Sequence, residues 1–540
     1  MSARQVARGM AGAAALIAAL TVLARLAGFG RTLVFTNTVG ADSTGDTYLA
    51  ANNVPNIVFE VVAGGALAGL VVPMLAGGIA AGDREQVRRT ASALLGWTLL
   101  LLVPLAVLLA LLAEPIARLL LAGGSAAEID LAGRFILVFA PQVVLYGIGI
   151  VLTGVLQAHR RFAGPALAPL LSSVVVAAAY LVFAAIGGGR DVADLSTPAE
   201  LVLGVGTTLG VVALSLSLLV PMRGLRLGLR PALRFPVGAA PRVRRLALAG
   251  VLTLAGQQLV AAVAIRLAND GAPDGTQVVY AAGLTVFLLP WAALAVPLAT
   301  SVYPALAERA DRGDEAGYRR ALAPVAVLTV TACAVAAAAI AAAAGPVARV
   351  FLATEAPAQV SALRDTIVAF APGLVGYGLV ALLTRALYAR GLWKAPTAWV
   401  LGGWLVAVAA DVLLARALPA EDRGLALAAG HSAGVTVAGL GLLAVVARVA
   451  RGALRSLART GPAALAAGGL GAVAGLGVAR ALDADPVPEG GLLGTLAAGL
   501  ATGGTVLVVA AAVMMGTARG PLTQAWREFR SAEEREVQGG

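Results

Sequence analysis

The stretch Asp83–Ala113 reads D-R-E-Q-V-R-R-T-A-S-A-L-L-G-W-T-L-L-L-L-V-P-L-A-V-L-L-A-L-L-A. It opens on a short polar segment carrying three arginines, then runs from Thr90 to Ala113 without a charge. A bilayer core of ~30 Å needs about 20 apolar residues in a helix. The stretch therefore predicts a membrane-crossing helix with a charged loop at its start. The same alternation extends outward in both directions. Charged and Gly/Pro-rich interruptions divide the chain into spans near 10–38, 48–80, 90–113, 131–157, 164–186 and 200–220. A second set lies near 243–269, 277–307, 321–344, 362–389, 396–418 and 424–447, and two more near 461–481 and 492–516. The expected fold is an all-α polytopic membrane protein with fourteen transmembrane helices.

Composition agrees and excludes several chemistries. The 540 residues are 59% hydrophobic and 13% charged, with mean hydropathy +0.88. Soluble domains run nearer 45–50% apolar and about 25% charged. Of the 40 basic residues only Lys394 is a lysine, and it stands in W-K-A-P, so the chain holds no phosphate-binding loop of the Walker type. One cysteine, Cys333, and two histidines, His159 and His431, cannot build a Cys/His zinc site or a disulfide framework. No metal site and no cofactor is expected. Arg25 and Arg31 interrupt the first apolar segment, which argues against a cleaved signal peptide.

Charge placement fixes an orientation. With the N-terminus in the cytoplasm, Arg4, Arg8, the 81–90 loop, Arg160, Arg161, the seven arginines of 222–245, residues 308–320, Arg390, Lys394, 448–459 and the tail all face inward. These segments hold 28 basic and 10 acidic residues, whereas the outer loops hold 8 basic and 17 acidic ones. This follows the positive-inside rule across all fourteen spans and puts both termini in the cytoplasm. Basic loops against anionic inner-leaflet lipid explain the net charge of +11, so nucleic acid is not an expected partner.

An internal repeat recurs at an offset of 231 residues. Phe139–Pro141 (F-A-P) returns at Phe370–Pro372, Tyr146-Gly147 at Tyr377-Gly378, Pro165 at Pro396 and Pro73 at Pro304. Asp83 returns at Asp314 and Arg88-Arg89 at Arg319-Arg320. An even number of helices per repeat gives both halves the same orientation, a parallel duplication of the kind transporters use. The expected organisation is a six-helix lobe over 1–221, a basic cytoplasmic linker over 222–245 and a homologous six-helix lobe over 246–447. Two further C-terminal helices lie within 448–516, and a cytoplasmic tail over 517–540 carries Trp526 and an E-E-R-E run.

With charges near the span ends counted in the loops, six remain within the membrane: Arg25, Arg31, Glu60, Arg266, Arg385 and Asp411. Each costs ~2.5–3.5 kcal/mol in hydrocarbon, so such groups face a cavity or pair with one another. One reading is structural, an ion pair such as Arg31 with Glu60. The other is an anion site in a central cavity, with Asp46 opening the second helix nearby. Guanidinium forks match phosphate oxygens and do not lose their charge. Arg385 is placed to snorkel, and Arg266 stands between the two readings. Packing is the first meaning of His431 and of Gly65-x-x-x-Gly69 and Gly471-x-x-x-Gly475. Pro55, Pro73, Pro141, Pro290, Pro297 and Pro372 are expected to bend or break their spans.

Three segments carry a family resemblance. A-R-L-A-G-F-G-R-T (Ala24–Thr32), G-A-D-S-T-G-D-T-Y-L-A-A-N-N-V-P-N (Gly40–Asn56) and G-G-A-L-A-G-L-V-V-P-M-L (Gly64–Leu75) resemble the MurJ/MviN family. Those proteins are lipid II flippases of the multidrug/oligosaccharidyl-lipid/polysaccharide exporter superfamily. Arg25, Gly28, Arg31, Asp46, Pro55, Asn56, Gly65, Ala66 and Pro73 stand at the family's positions, and the likeness extends through all fourteen spans. The resemblance implies two lobes around a cationic cavity and a groove for the undecaprenyl tail on the last two helices. The chain also departs from the pattern. Thr32 replaces an aspartate, Phe59-Glu60 occupies a basic position of the second helix, and Gly283 in Y-A-A-G replaces an eighth-helix arginine. Of the family's sodium site, only Asp411 is represented.

The function implied is flipping of lipid II from the inner to the outer leaflet of the bacterial cytoplasmic membrane by alternating access, without catalysis. The expected substrate-binding residues are Arg25, Arg31, Asp46, Glu60 and Arg266, and Asp411 is the candidate ion site. The expected partners are the undecaprenyl-pyrophosphate-linked muropeptide, membrane lipids and cell-wall synthesis proteins. Coupling to sodium, protons or membrane potential is left open. The alternatives are export of another undecaprenyl-linked glycan, or a non-transporting scaffold of the cell-wall machinery.

Overall fold

The computed structural model describes residues 3–61, 71–189, 191–234, 240–482, 484, 491–517 and 520. The Gly65-x-x-x-Gly69 motif, Trp526 and the E-E-R-E run lie outside them. Each of the fourteen expected spans contains helix among its described residues. The first is Ala3–Thr38, the second combines Ser43–Phe59 and Val71–Ala80, and the third is Arg84–Leu111. Among the described residues ten helices are long and apolar enough to cross a bilayer. The pair Pro357–Phe370 and Gly373–Ala389, bent by 45°, makes an eleventh. The long exposed leucine and valine faces of these helices are the surface that a lipid solvent requires.

The repeat survives as local structure. Arg84–Leu111 and Glu315–Ala342 correspond at both ends at the 231-residue offset. So do Ala113–Leu120 and Ala344–Phe351, Ala126–Phe139 and Pro357–Phe370, and Gln142–Ala158 and Gly373–Ala389. The shared residues explain the shared boundaries. Gly82 and Gly313 both take φ +69°, a conformation that a side chain disfavours. The carboxylates of Asp83 and Asp314 then accept from the N–H groups of Gln86 and Gly317 at 2.9 and 2.7 Å, capping the helices that follow. Pro141 and Pro372 lack the N–H that would continue the preceding helix, and each span breaks there. Gly147 leaves room for Thr98 and Leu102, while Gly378 leaves room for Thr329 and Cys333. The lone cysteine is thus a buried packing residue.

The chain divides into two compact units, Met1–Val278 and Val279–Gly540. In the first, Tyr48 sits among Phe35, Phe135, Phe139 and Tyr180, and its hydroxyl pairs with those of Tyr180 (2.8 Å) and Thr207 (2.6 Å). The described residues 222–234 of the expected linker are held in place. Ala232 N–H donates to Ser92 O at 3.0 Å, and Trp97 Nε1 donates to Leu233 O at 3.0 Å. Leu225 and Leu227 are buried in the core beneath. The helix Ala240–Ala268 groups with this unit, although the repeat puts it at the start of the second lobe.

In the second unit, Phe370 packs on Phe287 and Tyr280, and His431 stands edge-on to Phe287 and Phe370. Pro290 is followed by a π-helical turn, Trp291–Ala295, within the eighth span. Such turns mark a local irregularity in the helical ladder.

Candidate functional site

Arg25 and Arg31 lie on the helix Ala3–Thr38, the first exposed and the second half-buried. Among the described residues neither has a carboxylate within 4.0 Å. The expected Arg31–Glu60 pair does not form: Glu60 is half-buried at the end of Ser43–Phe59 and makes no ion pair among the described residues. Arg31 lies within electrostatic reach of Tyr48, Tyr146 and Tyr180. A side chain added at Gly28 or Gly30 would meet nothing within 4 Å, so this segment of the helix borders open space. Thr32, which replaces an acidic residue, turns its hydroxyl back to Gly28 O at 3.2 Å. Among the described residues, Arg25 and Arg31 therefore stand without an adjacent acid.

Asp46 has a different task from its neighbours. It is buried at the start of Ser43–Phe59, and both of its oxygens are taken by backbone donors. Gly275 N–H donates to Oδ2 at 2.8 Å and Val278 N–H donates to Oδ1 at 2.9 Å. The carboxylate thus ties the start of Thr276–Pro290 to the second span. Charged hydrogen bonds of this kind contribute about 1.5–3 kcal/mol each. Asp46→Asn would face one N–H with an amide donor, and a clearly lower unfolding midpoint is expected. An unchanged midpoint in a thermal melt of the purified protein would show the clamp to be idle.

Arg266 has its own counterion. Its Nη1 lies 2.9 Å from Asp270 Oδ2, one helical turn away. The eighth-helix position of the family's arginine is closed: a Cβ at Gly283 would lie 2.8 Å from Thr366 Cγ2 and 3.4 Å from the Phe370 ring. Gly283→Arg is therefore expected to cost about 1–3 kcal/mol of stability through overpacking, and not to restore a cavity cation. Recovery of folded protein by size-exclusion chromatography checks this, and normal yield would contradict it. Arg385, half-buried, donates from Nη1 to the carbonyl of Ala381 at 2.9 Å, as a snorkelling side chain does.

Asp411 lies on the eleventh-span helix Lys394–Ala417 and is fully buried, with neither oxygen hydrogen-bonded. Gly430 of Arg423–Val449 packs directly on it, leaving no room for a Cβ, and Tyr280 lies within electrostatic reach. A buried carboxylate without donors persists only when protonated or paired with a cation. Among the described residues no three His, Cys, Asp or Glu side chains converge to hold a metal ion. One carboxylate in an apolar wall fits a proton or a single small monovalent cation. Sequence reasoning missed the Tyr48–Tyr180–Thr207 network beside Arg31, because it joins three spans that are far apart in the chain.

A duplicated set of bent spanning helices, with two cations on the first span that have no carboxylate partner among the described residues, defines a polytopic transporter-type membrane protein. Its fold is similar to a solved structure described as lipid II flippase MurJ in an inward closed conformation. The TM-score is 0.72 at 17% identity, covering 93% of this chain and 99% of that one. It is also similar to an inward-facing multidrug resistance MATE family transporter of the MOP superfamily, with TM-score 0.66 at 16% identity over 81% and 98% of the two chains. A probable lipid II flippase MurJ of Rhizobium tropici is 28% identical over 423 residues, 76% of each chain. The family model described as lipid II flippase MurJ matches residues 35–472, and the chain belongs to that family.

Proposed function

We infer that this protein carries lipid II from the inner to the outer leaflet of the cytoplasmic membrane by alternating access, making and breaking no covalent bond. Membership of the lipid II flippase family supports the substrate class. The observation that carries the mechanism is the pair Arg25 and Arg31, two guanidinium groups on one spanning helix with no carboxylate partner among the described residues. They would hold the pyrophosphate, whose oxygens match two guanidinium forks. In this reading the lobes are 1–221 and 246–447, joined by 222–245, with both termini in the cytoplasm. Residues 448–516 take the undecaprenyl tail, and residues 517–540 form a cytoplasmic end. Packing of Gly471 and Gly475 against Val506 brings these last two helices together. Asp46 supports the site by fixing the second span, and Arg266 is neutralised by Asp270.

Moving two negative charges outward from a negative interior gains ~4–5 kcal/mol per 100 mV, so the membrane potential can drive the step. Depletion in cells should make lipid II accumulate on the inner leaflet, and collapse of the potential should slow reconstituted flipping. Normal transbilayer distribution after depletion would exclude transport. It would favour a scaffold of the cell-wall machinery, the reading that closure at Gly283 and self-pairing of Arg266 support.

A further inference from the structure

In the second unit, the helices Glu315–Ala342 and Arg455–Ala481 pack along each other, and their N-terminal ends border an open cavity of about 820 Å³. That volume is in the range of ligand pockets. Five arginines line it: Arg319 and Arg320 from one helix, Arg455 and Arg459 from the other, and Arg451 just before it. None has a carboxylate within 4.0 Å among the described residues. Arg319 Nη1 donates to Arg451 O at 3.1 Å, which holds the two sides together. The hydroxyl of Ser456, buried and without a hydrogen-bond partner, also lines the cavity.

Five like charges repel one another. At the start of one helix the Asp314 cap and Glu315 offset them, while the other helix carries no acid in its first turn, so the cluster favours an anion. Density of charge narrows the choice, since a single phosphodiester brings one negative charge and a diphosphate ester brings two or more within a few ångströms. Beside these polar groups the site has an apolar wall, formed by Ala323, Pro324 and Val327. Beyond Arg459, Leu470 and Val473 follow at helical spacing, both more than half exposed and on the same face. A headgroup with a concentrated negative charge and a long hydrocarbon chain would match both parts.

We propose that this cavity binds the diphosphate of a polyprenyl diphosphate lipid, forming a second diphosphate site on residues other than Arg25 and Arg31. The assignment rests on the flippase reading for its choice of lipid, and its chemistry is shared with anionic phospholipids. In the orientation proposed above the cavity opens toward the inner leaflet, where such a lipid is made.

The test uses the full-length protein in detergent with undecaprenyl diphosphate, cardiolipin and inorganic pyrophosphate as separate probes, in wild-type and Arg25→Gln/Arg31→Gln backgrounds. Adding Arg455→Gln/Arg459→Gln to the second background should weaken undecaprenyl diphosphate binding about tenfold or more. The same charge loss at Arg226 and Arg230 should leave binding intact. Equal binding with and without the Arg455/Arg459 changes would overturn the proposal. Binding of cardiolipin as tight as that of the diphosphate would overturn it in favour of a general anionic-lipid site. A photoreactive prenyl diphosphate on unaltered protein should label peptides within 316–327 or 451–460, and labelling elsewhere alone would equally refute it. Loss of flipping in the Arg25/Arg31 variant tests the earlier reading and leaves this comparison independent.

Discussion

Replacing Arg25 and Arg31 together by alanine is expected to reduce lipid II flipping at least about a hundredfold, with no change in the unfolding midpoint. The two halves of this expectation have separate physical origins. Charge-assisted hydrogen bonds contribute about 1.5–3 kcal/mol each, so two lost guanidinium–phosphate contacts remove ~3–6 kcal/mol of substrate binding. At ~1.4 kcal/mol per decade this is about two to four orders of magnitude. Stability should not follow, because neither arginine has a carboxylate partner among the described residues and Arg25 is exposed. Substitutions at such positions usually stay within about 0.5 kcal/mol. Arg31→Lys is the sharper control. It keeps the charge but gives up the planar fork, and should fall between wild type and alanine. Flipping by reconstituted proteoliposomes, read beside a thermal melt, decides the matter. Equal loss of stability and activity would assign both arginines to the scaffold.

Much of this architecture was legible in the chain because its determinants are local. A helix cap needs only Gly82-Asp83 or Gly313-Asp314 followed by a free N–H, and a break needs only Pro141 or Pro372. Both are encoded within a few residues, so the 231-residue repeat in sequence became a repeat in helix boundaries. The site was less legible where its meaning depends on distant partners. Asp46 read as a charge near the arginines, yet its oxygens are satisfied by Gly275 and Val278, more than two hundred residues away. Gly283 read as a missing cation, and the reason, contact with Thr366 and Phe370, is tertiary. Arg319, Arg320, Arg451, Arg455 and Arg459 read only as an orientation signal until packing placed them around one cavity. Charge counts register how many arginines face one side of the membrane, but not which of them converge.

Asp411→Asn is expected to abolish the dependence of flipping on its driving cation while leaving the protein at least as stable as wild type. Asparagine has nearly the same shape and no charge to neutralise, so it fits beside Gly430 without new volume. In the wild type both carboxylate oxygens are buried without a hydrogen bond, and leaving one such group unsatisfied costs about 1–3 kcal/mol, more when it is charged. A cation that binds only the folded state raises its stability in proportion to the logarithm of its concentration over its dissociation constant. Wild-type protein should therefore melt higher as sodium replaces a bulky organic cation if sodium is the partner. If a proton is the partner, the melt should be insensitive to sodium but shift with pH. Asp411→Asn should be flat in the responsive condition. Gly430→Ala, which drives a methyl group into the carboxylate, should weaken cation binding without removing the charge. A wild-type melt indifferent to both sodium and pH would show that Asp411 takes no part in coupling, and would leave the membrane potential as the sole drive on the doubly charged headgroup.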